Sequence, residues 1–364
     1  MNQENLKRTP LFEKHAALKA KLAPFGGWEM PIQYSGIIEE YYQCRNSVAL
    51  FDTCHMGEFY FKGDTSSSGF ENAVTVPVTK LSVGKCRYGF LLNDQGGVID
   101  DLIVYRLSDD EWMIVVNAAT YENDFNIIQT RLKNNPVFVN QSEKTAKLDI
   151  QGPLSKELVM EKLNPEIGTL GYFQFKKMQV LGKEVLVSRT GYTGEMGFEV
   201  YTDGETINQI WDILMKDSRV KPAGLGARDV LRLEMGYSLY GSDLDEKTTP
   251  VEADLESFID YTKDFFGKKA LLEQKEKGVQ KIKTSFKTLS RRAPRHDYDI
   301  LKDGKLIGTV TSGTFSPALN SGIGMGYVDA PLSAGTKIVL KKEKVEIEAE
   351  VTKMPFYLKN SLKK

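Results

Sequence analysis

Cysteine, histidine and tryptophan each occur only three times in 364 residues. Cys44, Cys54 and Cys86 cannot all pair, and a chain of this length needs no covalent staples to fold, so a disulfide scaffold is excluded and a reducing, cytoplasmic setting is expected. His15, His55 and His296 are scattered, and no Cys or His pair has the spacing of metal ligands, so no metal is expected. No apolar run approaches the roughly 20 residues that cross a bilayer. Met1 to Asn5 lead straight into a helical pattern, without the apolar core of a signal peptide or an Arg-rich presequence. An excess of either charge is also missing: 48 Lys and Arg stand against 49 Asp and Glu, for a net charge of -1. Nucleic acid and anionic membranes therefore have no electrostatic claim on this protein, and any bound anion must be met by locally placed cations. Fixed-period repeats and low-complexity tracts are absent too.

What is present is a long alternation of helical and strand patterns. Thr9-Pro10 followed by Leu11, Phe12, His15, Leu18 and Leu22 reads as an N-cap, a first-turn proline and a helical stripe ended at Phe25-Gly26-Gly27. Ser35 opens a second helical run through Arg45, and residues 51–61 turn to strand-like alternation. Residues 86–117 read as a three-stranded meander with turns at 93–97 and 108–110. Helical spacing returns at Tyr121, Phe125, Ile128 and Leu132. Residues 148–151, 153–163, a hairpin at Gly182-Lys183, and residues 198–201 continue the mixture, with helices at 207–215 and 227–240. Residues 275–283 are Lys-rich and poor in apolar side chains, as in a linker. Beyond them, short runs split by Gly, Asp, Ser and Pro suit a small β-barrel or jelly roll.

Three motifs could carry chemistry. In Gly96-Gly97-Val98-Ile99-Asp100-Asp101-Leu102-Ile103-Val104-Tyr105, two carboxylates interrupt an apolar strand. Adjacent strand residues face opposite ways, so one aspartate can meet solvent while the other meets a core or cavity. A polar strand start after a turn explains the pair equally well. Tyr105 shares a face with Asp101 if the strand is regular. The second motif, Ser188-Arg189-Thr190-Gly191-Tyr192-Thr193-Gly194-Glu195-Met196-Gly197-Phe198-Glu199, is a glycine-punctuated loop that delivers Glu199 into an apolar strand; an ordinary hairpin with solvated charges is its plain alternative. The third, Pro222-Ala223-Gly224-Leu225-Gly226-Ala227-Arg228-Asp229, opens a helix on which Arg228 and Arg232 are one turn apart and Glu234 and Tyr237 share a side. It lacks the third glycine of a dinucleotide fingerprint. Cys54-His55 is no thiolate–imidazole pair, because neighbours on a strand point apart, and Cys54 is expected to be buried packing.

Taken together with Lys7-Arg8-Thr9-Pro10-Leu11, Gly27-Trp28-Glu29-Met30-Pro31, Phe51-Asp52, His55-Met56-Gly57-Glu58-Phe59, Thr311-Ser312-Gly313, Phe315-Ser316-Pro317 and Pro355-Phe356-Tyr357, these motifs resemble the glycine cleavage T-protein family along almost the whole chain. The resemblance implies an α+β, three-domain cloverleaf around a central channel: two interleaved folate-binding domains (1–50 with 140–275, and 51–139) and a C-terminal β-barrel or jelly roll (276–364). It implies an aminomethyltransferase that moves the methylene carbon of an aminomethyl group, carried on the lipoyl arm of the H protein, to tetrahydrofolate, releasing ammonia. Tetrahydrofolate is then a co-substrate and no metal is needed. By the same resemblance Asp101 is catalytic, Tyr88, Tyr105, Asn117, Glu199 and Arg228 contact folate, and Met56, Tyr172 and Tyr237 line the cavity. Asp100 is expected to point away from the chemistry. A folate-linked demethylase of the same superfamily is the alternative enzyme. The non-catalytic folate-binding relatives carry a Lys-Gly-Cys-Tyr-x-Gly-Gln-Glu motif that is missing here. Three positions depart from the family pattern: Asp254 and Asp297 replace glycines, and Leu358 replaces a basic residue whose clamp on the folate tail Lys359 would have to supply.

Overall fold

The computed structural model describes residues 6–362, so the reading of Met1 to Asn5 lies outside the described residues. The chain opens with a six-residue helix, α1 (Phe12–Ala17), and a hairpin of β1 (Lys21–Phe25) and β2 (Trp28–Gln33). The expected helix through Leu22 is thus cut short. Gly26 and Gly27 take φ of +55° and +85°, the left-handed pair that a tight two-residue hairpin turn requires, so these glycines turn strands and do not end a helix. Nor does Thr9 cap α1: its hydroxyl donates to Asp52 Oδ2 at 2.6 Å, and His15 Nε2 lies 2.7 Å from the same oxygen. In α2 (Ile37–Asn46), Glu40 ties the entry, its Oε1 accepting the N–H groups of Tyr34, Ser35 and Gly36 at 2.6, 2.9 and 3.1 Å.

After β3 (Val48–Asp52) the chain leaves to build a separate five-stranded sheet. Its elements are β4 (Gly57–Lys62), α3 (Phe70–Ala73), β5 (Cys86–Leu92), β6 (Val98–Arg106), β7 (Glu111–Val116), α4 (Tyr121–Arg131) and β8 (Val137–Asn140). The order is β5-β6-β7-β4-β8, antiparallel throughout. The chain then returns to β3. It adds β9 (Ala146–Gln151), α5 (Ser155–Lys162), β10 (Phe175–Val180), β11 (Lys183–Ser188), β12 (Gly197–Thr202), α6 (Gly204–Leu214), β13 (Val220–Pro222) and α7 (Leu225–Glu234). These give a six-stranded sheet in the order β10-β11-β12-β9-β3-β13, in which only β13 runs parallel to its neighbour. The helix expected to reach residue 240 stops at Glu234, because Gly236 takes φ +72°. Tyr237 therefore lies beyond α7 and does not share a helical side with Glu234.

A last helix, α8 (Lys268–Lys277), precedes a closed barrel of β14 (Ile282–Thr288), β15 (Asp299–Lys302), β16 (Lys305–Ser316), β17 (Ser321–Val328), β18 (Lys337–Lys342) and β19 (Val345–Val351). The Lys-rich stretch read as a linker is mostly structured: its start finishes α8, and its end begins β14.

Apolar periodicity accounts for the packing. On α6, Ile207, Ile210, Trp211 and Leu214 fall on one side and are at most 2 % exposed against the six-stranded sheet. Truncating a buried side chain such as Trp211 to alanine costs about 3–5 kcal/mol. Asp203 starts this helix, its Oδ1 accepting the N–H groups of Glu205 and Thr206 at 2.9 Å each, which is worth about 1 kcal/mol. Three apolar seams join the lobes. Tyr105, Val115, Leu186 and Tyr201 lie between the two sheets; Phe90, Leu244 and Tyr327 join the five-stranded sheet to the barrel side; Leu233, Ile323 and Phe356 join α7 to the barrel. The result is three-lobed, with a cavity where the lobes meet.

Candidate active site

The cavity measures about 480 Å³. One wall comes from β5–β7, where strand alternation sorts the two aspartates. Asp101 and Ile103 face the cavity, while Asp100 and Val104 face the α4 side. Asp101 meets a cavity, as one of the pair was expected to, but the other does not meet solvent, since Asp100 is fully buried. Asp101 is held from both sides: Tyr88 donates its hydroxyl to Oδ2 at 2.8 Å, and Asn117 Nδ2 donates to Oδ1 at 2.7 Å. Burial raises the Asp101 carboxyl above its ordinary value, against those two hydrogen bonds, which favour the charged form.

The opposite wall comes from the six-stranded sheet, and its charges follow from register. Glu199 on β12 stands opposite Asp149 on β9, and Tyr201 opposite Lys147. Lys147, 2 % exposed, reaches Glu199 Oε1 at 2.8 Å and Asp149 Oδ1 at 3.5 Å. Burial alone would lower the Lys147 ammonium; Asp149 and Glu199 outweigh it and raise it. Burial works likewise to raise Asp149, but Lys147 and Arg228 hold it below its ordinary value. Arg228, projecting from the first turns of α7, donates to Asp149 Oδ2 at 2.6 Å and sits 5.2 Å over the Tyr192 ring. Its direct ion pair is with Asp149; Glu199 is engaged by Lys147, Thr190 (2.5 Å), Tyr201 (3.2 Å) and Tyr105 (3.5 Å). Gly191 and Gly197 explain the punctuation of the second motif: a Cβ on either would come within 2.2 or 2.1 Å of Gln151 Oε1.

Aromatic rings complete the enclosure. Tyr192 and Tyr237 stack at 5.7 Å with an interplanar angle of 23°. Tyr172 lines the same space. Arg232 fixes the third side by donating to Asp243 Oδ2 at 2.6 Å, Ser312 Oγ at 2.9 Å and the Tyr237 carbonyl at 3.1 Å, so that a barrel strand and the Tyr237 loop share one guanidinium.

Asp101, Tyr88, Asn117, Glu199, Arg228, Met56, Tyr172 and Tyr237 all line this cavity. Tyr105 does not. It is fully buried in the seam between the sheets, 2.9 Å from the Tyr201 hydroxyl, and stands behind Glu199. Its position follows from its distance along β6: two residues past Ile103, the same face has left the cavity and entered the seam. Sequence reasoning missed Lys147, Tyr192 and Arg232 as wall residues, and Asp149 buried behind them. Lys147 and Asp149 had a readable signal, two charges at alternate positions of the wholly buried strand Ala-Lys-Leu-Asp-Ile-Gln. His55 also lines the cavity, its Nδ1 buried without a hydrogen-bond partner among the described residues, and burial pushes its imidazolium down to about 4. Cys54 packs in the core, its thiol donating to the Lys147 carbonyl at 3.2 Å and pushed well up by burial. Leu358 is 79 % exposed, and neither it nor Lys359 reaches the cavity, whose C-terminal contact is Leu362.

Residues 11–263 match the family model described as the GCVT N-terminal domain, and residues 284–357 that of the glycine cleavage T-protein C-terminal barrel domain. An aminomethyltransferase of Thermotoga petrophila is 44% identical over 97% of this chain and 98% of its own length. One of Halothermothrix orenii is 44% identical over 96% of this chain and 100% of its own. The solved structure of glycine cleavage system aminomethyltransferase T from Bartonella henselae superposes with a TM-score of 0.91 at 32% identity, covering 98% of this chain and 99% of that one.

Proposed function

The chain belongs to the glycine cleavage T-protein family and is an aminomethyltransferase, and from that premise we propose that its central cavity binds tetrahydrofolate and admits the aminomethyl-loaded lipoyl arm of the H protein. The observation that carries this reading is the Asp101 carboxylate, held by Tyr88 and Asn117 and turned into a cavity whose far wall is the Lys147–Glu199–Asp149–Arg228 network.

The residues present suit a pterin. A flat heterocycle with amide-like donors and acceptors fits between tyrosine rings and a wall of fixed charges, and the buried, unpartnered His55 Nδ1 offers it a further polar contact. Bound folate supplies the nitrogens that take up the one-carbon unit. The protein supplies position and proton handling. Asp101 orients the reacting nitrogen and accepts or relays a proton as ammonia leaves; such alignment is worth on the order of 7–11 kcal/mol in favourable systems. Glu199 and Arg228 recognise the pterin edge, Glu199 with the lone-pair directions its four partners leave free. Tyr88 and Asn117 hold Asp101, and Met56, Tyr172 and Tyr237 shape the space. Tyr105 supports Glu199 from behind.

The same reading divides the chain into two interleaved folate-binding lobes and a barrel. Sheet membership supports breaks near those expected from sequence, the first moved past Asp52 because β3 belongs wholly to the six-stranded sheet. A cytoplasmic location completes the reading. It is supported by three buried free thiols and by the absence, among the described residues, of a helix long and apolar enough to cross a membrane.

The test is a purified assay with aminomethyl-loaded lipoyl carrier and tetrahydrofolate. Ammonia and methylenetetrahydrofolate should appear in equal amounts, with ammonia release much slower when folate is omitted. Release no faster than without protein would overturn the reading.

A further inference from the structure

Asp100 and Asp124 lie outside the cavity and have no part in the chemistry described so far, yet both are fully buried. Asp100 accepts twice from one residue: Asn117 N–H to Oδ2 at 2.9 Å and Asn117 Nδ2 to Oδ1 at 2.8 Å. The second hydrogen on Asn117 Nδ2 is the one that reaches Asp101 Oδ1 at 2.7 Å. The amide is therefore a bridge between the two aspartates, and its orientation is set, because reversing it would place its oxygen against two carboxylates.

Behind Asp100, in the first turn of α4, the Asp124 carboxyl faces the Asp100 carboxyl, and both Asp124 oxygens are buried with no donor partner among the described residues. Two buried carboxylates in contact repel unless a proton lies between them. Among the described residues, the groups that face the pair bring no cation: Asp101 from β6, Tyr88 from β5, Thr120 from the start of α4, and Tyr240 from the loop after α7. Asp243 adds a further negative charge near Asp101. Both Asp100 oxygens accept from Asn117, which favours the charged form there, whereas the Asp124 oxygens have no other partner among the described residues, so the proton is placed on Asp124.

We propose that Asp100 and Asp124 are a carboxyl–carboxylate pair, with the proton on Asp124, that sets Asn117 and through it positions the Asp101 carboxylate. Both are positioning residues, and neither touches substrate. Burial, with Asp100 beside it, pushes the Asp124 carboxyl far above its ordinary value, in keeping with a neutral acid at pH 7. The proposal rests on the reading of Asp101 as the reacting carboxylate.

The experiment compares Asp100→Asn, Asp124→Ala, Asp124→Asn and Asp101→Asn in the full-length protein, measuring kcat, folate affinity and infrared absorption. Asp100→Asn puts an NH₂ group where one of the two Asn117 donors needs an acceptor, so kcat should fall on the order of 10–100-fold, with folate affinity within about threefold, as for a small misplacement of a reacting group. Asp124→Ala should fall similarly. Asp124→Asn supplies a neutral donor again and should recover most of that loss, which a simple packing role would not distinguish from Asp100→Asn. Because burial also pushes the Glu58 carboxyl well up, the readout is the wild-type minus Asp124→Asn difference spectrum at pH 7, which should show the loss of one carboxylic-acid carbonyl stretch while the Glu58 band cancels. Equal losses in the two asparagine variants, or a difference spectrum in which no acid band is lost, would overturn the proposal; the infrared result stands even if Asp100→Asn does not fold. If Asp101→Asn retains full turnover while the band is lost as expected, the pair stands and the reading of Asp101 fails.

Discussion

Lys147 Nζ lies 2.8 Å from Glu199 Oε1, with the two side chains 3% and 4% exposed, and this buried pair forms the floor of the cavity opposite Asp101. Removing one member of such a pair leaves the other charge uncompensated in a low-dielectric site. Glu199→Ala is therefore expected to do two things at once. Folate affinity should weaken by about 1–3 kcal/mol, and stability should fall by up to about 3–5 kcal/mol, moderated by the remaining Asp149 partner of Lys147. Calorimetric titration and denaturant unfolding read the two effects separately.

His55 gives a pH dependence with a definite sign. Burial lowers its folded-state value from 6.5 to about 4, so between those values the unfolded chain binds more protons than the native one. Its contribution to stability is present above pH 6.5 and is lost as pH falls towards 4. For a fully buried ring that shift corresponds to about 3 kcal/mol. Urea unfolding of wild type and His55→Gln at pH 7.5, 5.5 and 4.5 should show a smaller acid-side decline in the variant, and parallel curves would remove the claim.

Arg232 ties α7, the barrel and the Tyr237 loop together through Asp243, Ser312 and the Tyr237 carbonyl. Arg232→Ala leaves Asp243 buried and without its guanidinium, and should cost about 3–5 kcal/mol in unfolding experiments. Because it also frees the Tyr237 ring from its seat beside Tyr192, KM for folate should rise more than kcat falls. A variant with normal stability and normal KM would contradict the tie.

Asp254 and Asp297, the two positions where the family pattern has glycine, take φ of +56° and +63°. The departures in sequence coincide with left-handed backbone, which Asp tolerates at some cost and Gly adopts freely. Asp297→Gly should raise stability by up to about 1 kcal/mol, the relief of strain exceeding the extra chain entropy of glycine. Thermal unfolding decides it; a clear loss would mean that the Asp297 carboxylate, 3.2 Å from His296, contributes more than the strain costs.

Legibility in the sequence varied with the kind of interaction that set each feature. The meander at residues 86–117, helices α2, α4, α5 and α6, and most of the barrel rest on local periodicity and turn chemistry, and these were readable. Leu18 and Leu22 fell into a helical stripe by accident of spacing. The pairing of β1 with β2, and of Lys7 with Trp28, overrides that stripe, and such pairing leaves no local mark. β14 was hidden because its lysines alternate with residues that become buried only on closing the barrel. At the site, Asp101 and Glu199 stood out as carboxylates in apolar strands. Asp100 faces away from the cavity, as expected, but it is buried and not solvated, and its approach to Asp124 on α4 leaves no local mark in the sequence. The C-terminal motifs proved to be structural: Ser316 donates to Glu234 Oε1 at 2.6 Å and Phe356 N–H to the Glu234 carbonyl at 2.8 Å.

The central claim is that the Asp101 carboxylate, facing the cavity between Tyr88 and Asn117, carries the transfer. Asp101→Asn keeps the side-chain size and removes the charge and the proton-accepting capacity. The decisive measurement is kcat for ammonia release from the aminomethyl-loaded carrier, taken at saturating tetrahydrofolate beside the folate dissociation constant. The account predicts a fall in kcat of roughly 10²–10⁴-fold with the dissociation constant within about threefold of wild type. Wild-type turnover in Asp101→Asn would contradict it.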